Sequence, residues 1–178
     1  MPLLTALAIS IGVLGGIATW LFVGPVGALG LQIWAAFVAW AAFFHSGGGQ
    51  AALKTNIPAH VYGAIIAWIV FVLLGALAGP LGIPVAAGIL VGLGVIAMVL
   101  GANAPALSSI PSSVYGFACV AGYTLLAGKT GTVLSASLVD NPLINIVISM
   151  VIGAVFGFIS EKAAGALTKA RPTTAHPA

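Results

Sequence analysis

Charge is what this sequence has least of. Of 178 residues, five are Lys or Arg and two are Asp or Glu, 4% in all, where a soluble domain carries about 25%. Seven charges cannot clothe a water-facing surface, so a soluble globular domain is excluded. Acid is scarcer still. Asp140 and Glu161 are the only carboxylates, and they bracket the last apolar run. On one helix they stand roughly 30 Å apart, too far for a paired acid and base. Neither lies inside a span, where proton-coupled transporters place ionisable groups. Cys119 is the single cysteine, which excludes an internal disulfide and offers no second soft ligand for a metal. It reads as a small buried hydrophobe. Ser/His/Asp arrangements, H-E-x-x-H and the P-loop are missing too, so the sequence does not point to an enzyme and calls for no cofactor or metal. The basic residues are isolated or C-terminal, which is no nucleic-acid surface. Polar–apolar alternation is also lacking, and with it the signature of a β-barrel.

What is present is apolar: 61% hydrophobic residues and a mean hydropathy of +1.24. A helix needs about 20 apolar residues to cross a bilayer. Six runs qualify, at Leu3–Val23, Val26–His45, Ile57–Ala78, Ile83–Gly101, Ile110–Ala127 and Pro142–Ser160. The expected class is an all-α polytopic membrane protein, with six transmembrane helices in residues 1–168 and a disordered cytoplasmic tail over 169–178. The first run has no basic stretch before it and reads as a retained helix rather than a secretory signal. With six spans, Lys54, Lys162, Lys169 and Arg171 share one side and Lys129 stands alone on the other. Basic residues favour the cytoplasm, so both termini are expected there.

The chain also repeats itself. I-P-A-H-V-Y-G (Ile57–Gly63) returns as I-P-S-S-V-Y-G (Ile110–Gly116), 53 positions later. Over 48–63 the shifted copies agree at seven of sixteen positions. "AGPLG" (Ala78–Gly82) and "DNPLI" (Asp140–Ile144) follow the two copies, while "VLGGIATW" (Val13–Trp20) and "VGPVG" (Val23–Gly27) make a weaker first version. These predict three tandem, parallel helical hairpins, about 3–45, 57–101 and 110–160. Such units can close around a pseudo-threefold axis and differ from inverted transporter repeats. Proline suits the first helical turn, so Ile57 and Ile110 are expected to start helices, with Asn56 and Ser109 as their caps. The preceding loops, 46–56 and 102–109, are expected to lie at the interface. The alternative is a re-entrant segment presenting free N–H groups to a cavity.

Candidate lining residues follow from position. His60 faces Ser113 across the repeat, and a histidine within a span suggests a gate or a proton-sensitive group; the plainer reading is an interfacial imidazole. Ser112 stands where the other copy has Ala59. Tyr62 and Tyr115 are equivalent and offer hydroxyls or simple packing. In the last run Asn141, Asn145, Ser149, Gly153, Gly157 and Glu161 fall at intervals of four, one stripe along a helix. Asn145 in hydrocarbon must be satisfied, so the stripe faces protein or water. Gly153 and Gly157 favour close packing, and Asn145 and Ser149 either bridge helices or line a polar path. Gly12/Gly16, Gly75/Gly79 and Gly88/Gly92 imply further dense packing. Together Asn56, His60, Tyr62, Ser112, Ser113, Tyr115, Asn145 and Ser149 are the candidate substrate-binding or pore-lining set.

"WAAFVAWAAFF" (Trp34–Phe44), followed by "GGG" (Gly47–Gly49), Asn56 and Gly63, resembles the bacterial inner-membrane proteins grouped as domain of unknown function 1097. The resemblance covers most of the chain. It implies a short multi-span protein of the bacterial cytoplasmic membrane and transfers no activity or functional residue. The function expected from the residues is a passive channel or facilitator for a small, mostly uncharged solute of the urea, short-amide, ammonia or water class. The alternative is a structural or accessory subunit of a larger membrane complex, and a proton-coupled transporter comes third. Lipid is the certain partner, and a homo-oligomer is expected by analogy with small channels.

Overall fold

The computed structural model describes residues 1–168, all helix and turn. Six α-helices run in order: α1 (Leu3–Val23), α2 (Ile33–His45), α3 (Gly49–Leu81), α4 (Ile83–Gly101), α5 (Ile110–Leu126) and α6 (Pro142–Leu167). Short 3-10 turns occur at Gly27–Leu29, Pro105–Leu107 and Lys129–Thr132. The all-α class expected from composition is the class observed. Four helices, α1, α3, α4 and α6, are long and apolar enough to cross a membrane; α2 and α5 are shorter apolar helices.

The bounds of α1 and α4 are those expected, and α5 begins at Ile110 with Pro111 in its first turn. Three other bounds are corrected. The second run is helical only from Ile33. Residues 24–32 are turn, because Gly24, Pro25, Gly27 and Gly30 interrupt it, and Gly30 adopts φ 62°, a conformation open to glycine. At 13 residues, α2 is about 20 Å long, short of the hydrocarbon thickness.

The third helix begins at Gly49, not Ile57, so residues 49–56 of the expected 46–56 loop are helical. Only Ser46–Gly48 separates α2 from α3. The stretch Gln50–Lys54 is made of good helix formers, and the helix accepts Pro58 in its interior. Pro58 has no N–H for the carbonyl of Lys54, so one backbone hydrogen bond is missing there while the helix runs on. Asn56 accordingly caps nothing. Ser109 stands at the α5 N-cap position, but its side chain makes no cap hydrogen bond to the helix's amides. The last helix extends to Leu167 rather than Ser160. The predicted tail, with Lys169 and Arg171, lies outside the described residues.

The core lies among α2, α3, α5 and α6. It holds Ala35, Ala39, Ala64, Ala67, Cys119, Val120, Tyr123, Ile146 and Met150. Four alanines in that set keep the helix axes close, which is how membrane helices gain van der Waals contact. α4 turns most of its surface outward, with Ile83, Leu93 and Leu100 largely exposed, as a lipid-facing helix would.

Directions follow from contacts. α3 and α4 are antiparallel, joined by Gly82 alone; the Tyr62 hydroxyl donates to the Ala97 carbonyl at 2.8 Å, and Gly94 packs on Ile66 and Val70. α2 and α6 run in the same direction, since Gln32 meets Ser149, Ala36 meets Gly153, and Gly49 meets Glu161. So do α3 and α5: His60 and Gly63 lie against Gly116 and Ser113, while Leu125 shares a cavity wall with Phe71 and Leu74. The expected dense packing at three glycine pairs is not found. Gly12, Gly16, Gly75, Gly79, Gly88 and Gly92 have open space where a side chain would be; their helix faces point away from the bundle.

Candidate functional site at the crossing of α3 and α5

The four-residue stripe of α6 faces protein along its whole length. Asn141 caps α6, accepting from the amides of Leu143 and Ile144; its own amide donates to the carbonyls of Val133 and Ser135. Asn145 Nδ2 donates to the carbonyls of Gly30 (3.0 Å) and Leu138 (3.2 Å). Ser149 Oγ donates to the Asn145 carbonyl and accepts from the Gln32 amide at 2.9 Å. Asn145 and Ser149 thus satisfy the Gly30 carbonyl and the Gln32 amide at the C-terminal end of the short 24–32 segment, where its own turn hydrogen bonds run out. Gly153 then lets Ala36 of α2 come so close that a Cβ would overlap the Ala36 carbonyl, and Gly157 receives the Phe43 ring. Beside the stripe, Trp40 Nε1 donates to Ser160 Oγ at 3.0 Å.

Glu161 ends the stripe. Its carboxylate oxygens accept from the Gly49 amide at 2.9 and 3.1 Å, placing a negative charge on the positive end of α3. Gly47, Gly48 and Gly49 all have positive φ, and a Cβ on Gly48 would overlap the Glu161 carboxylate. The three-glycine turn is therefore shaped around this one side chain. At the opposite end of α6, Asp140 pairs with Lys129 at 3.0 Å. Their mutual hydrogen bond is the chief reason the Lys129 ammonium is shifted up and the Asp140 carboxyl down.

Asn56 is fully buried where α2, α3 and α5 meet. Its Oδ1 accepts from Ser46 Oγ (2.9 Å) and Ser112 Oγ (3.0 Å), and Nδ2 donates to the Ala42 carbonyl (3.0 Å). Ser112 Oγ lies 2.8 Å from Ser109 Oγ. Four polar side chains thus form a continuous string, Ser109–Ser112–Asn56–Ser46, with the buried Asn56 inside it. One turn further along α3, on the same face, comes His60. It is 3% exposed, and neither ring nitrogen has a hydrogen-bond partner. Asn145 Oδ1 is the other buried side-chain atom without one among the described residues.

The repeated phrase forms the crossing itself. A Cβ on Gly63 would overlap the Ser113 carbonyl, and a Cβ on Gly116 would overlap the His60 carbonyl. Positions 63 and 116 are equivalent in the repeat, as are 60 and 113. Each copy's glycine therefore seats the other copy's backbone, a reciprocal contact of the kind a twofold axis generates. Ser112 and Ser113 are buried here. Of the two tyrosines, Tyr62 leaves the crossing for α4, while Tyr115 packs against the core. Asn56, His60, Ser112 and Ser113 are thus brought together, and Tyr62, Asn145 and Ser149 serve other junctions. Ser46, Gln32 and the Gly49–Glu161 junction gave no signal in the sequence. Only the four-residue spacing to Glu161 signalled that its carboxylate faces the bundle. Among the described residues no three of His, Cys, Asp and Glu come together to make a metal donor set.

Residues 8–165 match the sequence family described as "Protein of unknown function (DUF1097)". The chain belongs to this family. The DUF1097 match reaches all six helices and includes both copies of the phrase, the Gly49–Glu161 contact and His60. No curated protein and no solved structure matches the chain.

Proposed function

We propose that this DUF1097 protein is a passive facilitator for a small, mostly uncharged solute across the bacterial inner membrane, with His60 as the binding point within the membrane. One observation carries the reading: a histidine buried among apolar helices with both ring nitrogens unpartnered. A buried donor or acceptor without a partner costs about 1–3 kcal/mol. A neutral imidazole offers one donor and one acceptor, so its natural complement is a small molecule that both accepts and donates, such as water, ammonia, urea or a short amide. No charge is needed at the site, and the two carboxylates are engaged elsewhere, Glu161 with the Gly49 amide and Asp140 with Lys129.

In this reading all six helices cross the bilayer, α2 and α5 as short crossings inside the bundle, and the hairpins are tandem parallel repeats. The reciprocal Gly63–Ser113 and Gly116–His60 contacts support a local twofold between the second and third units, in place of a threefold axis. Both termini face the cytoplasm, with Lys54 and Lys162 on that side and Lys129 on the other. Stopped-flow light scattering on proteoliposomes, with water, urea, short amides and ammonia, tests the proposal. Permeability above that of empty vesicles is expected for at least one solute, and none for any of them sinks it. A second reading, an accessory or self-associating membrane subunit, is favoured by the open glycine faces at Gly12/Gly16 and Gly88/Gly92; it predicts a defined oligomer and no flux.

A further inference from the structure

One short piece of chain lies between the Glu161 contact at Gly49 and the buried His60. That piece, Gly49–Asn56, has glycines at one end and a proline just past the other. Before and at its start are Gly47, Gly48 and Gly49, all with positive φ. After it comes Pro58, which removes a hydrogen bond from the interior of α3. Between these points the segment buries Ala52 and Asn56 and exposes Gln50 and Lys54. Two sets of contacts hold it down. The Glu161 carboxylate grips the Gly49 amide, and Asn56 is tied to Ser46, Ser112 and the Ala42 carbonyl. Asn56 stands one helical turn from His60, on the same buried face.

We propose that Gly49–Asn56 is a lid over His60, latched by Glu161 and hinged at Pro58, with Asn56 as the plug. The proposal rests on His60 being the binding point and adds how that point is reached. Opening releases Asn56 from Ser112 and Ser46, and the freed serine hydroxyls then line the way from Ser109 to the imidazole. The latch is a charge-assisted hydrogen bond, about twice as strong as a neutral one. Neutralising it shifts the closed–open balance without touching the site.

The test reads access to position 60 directly. His60→Cys is introduced into a Cys119→Ala background, and its labelling by a small methanethiosulfonate is timed in proteoliposomes. Glu161→Gln is expected to raise the labelling rate about ten-fold, the size of effect that weakening a charged hydrogen bond carries. Gly48→Ala is expected to act in the same direction, because its Cβ displaces the carboxylate, and it guards against a folding defect peculiar to Glu161→Gln. Pro58→Ala restores the backbone hydrogen bond, stiffens the hinge and is expected to slow labelling below the parent rate. Unchanged labelling in folded Glu161→Gln and Gly48→Ala overturns the lid. Solute flux is measured in parallel with His60 intact. Labelling that responds while flux stays at the level of empty vesicles upholds the lid and removes the facilitator reading alone.

Discussion

Alanine at Gly63 or Gly116 forces apart two helices that touch backbone to backbone. The obstacle in each case is a main-chain carbonyl, that of Ser113 or His60, and it cannot swing away as a side chain can. Overpacking a core costs about 1–3 kcal/mol, and a rigid obstacle puts each single variant near 3 kcal/mol on that scale. The two contacts belong to one crossing. Once α3 and α5 have separated to admit the first methyl, most of the room for the second exists. The double variant is therefore expected to lose about 3–4 kcal/mol rather than 6, leaving an interaction energy of about 2–3 kcal/mol in the cycle. Reversible unfolding in bicelles or mild detergent measures all four proteins. Gly88→Ala is the control: nothing lies within 4 Å of its would-be Cβ, and losing a helical glycine stabilises by about 0.5–1 kcal/mol. Full additivity, or near-neutral single variants, would refute the reciprocal crossing.

Asn145→Leu leaves the Gly30 and Leu138 carbonyls without their donor and frees the protein of one unpartnered Oδ1; a net loss of about 2–4 kcal/mol is expected by the same unfolding assay, with faster hydrogen exchange over residues 24–32. The Lys129–Asp140 pair gives a pH dependence. Asp140's folded pKa is depressed, so its contribution is present above the unfolded carboxyl value of about 4 and fades as pH falls through the folded one. Lys129's is raised, so its contribution holds below the unfolded value of about 10.4 and fades above it. Melting temperature is expected to fall at both extremes, and Asp140→Asn should flatten the acid limb; an unchanged limb contradicts the pairing.

The sequence reading was sound where apolar length alone decides. α1 and α4 are uninterrupted apolar runs, and lipid physics leaves them no other form. It failed where the chain satisfies itself through distant partners. The turn at 24–32 is broken by its own glycines and Pro25, and its C-terminal end is held by Asn145 and Ser149 of α6, a relation across more than a hundred residues. The early start of α3 was hidden by Pro58, which marks helix starts more often than interiors. The glycine spacings were ambiguous for a related reason. Gly153, Gly157, Gly63 and Gly116 meet another helix, while Gly12, Gly75 and Gly88 share the pattern and meet nothing in this chain. At the candidate site, the positions where the two copies differ, Ala59-His60 and Ser112-Ser113, lie at the crossing of α3 and α5, and His60 carries the unpartnered imidazole. The difference between the copies gave no sign of Ser46, which reaches Asn56 from the end of α2.

His60→Leu in proteoliposomes tests the central claim most directly. Leucine removes a buried polar ring whose nitrogens have no partner, so the variant is expected to be as stable as the parent or more stable, by up to about 1–3 kcal/mol. If His60 is where solute binds, flux of small neutral solutes falls to the level of empty vesicles in this well-folded variant. Parent-like flux through His60→Leu, or no flux through the parent itself, contradicts the account.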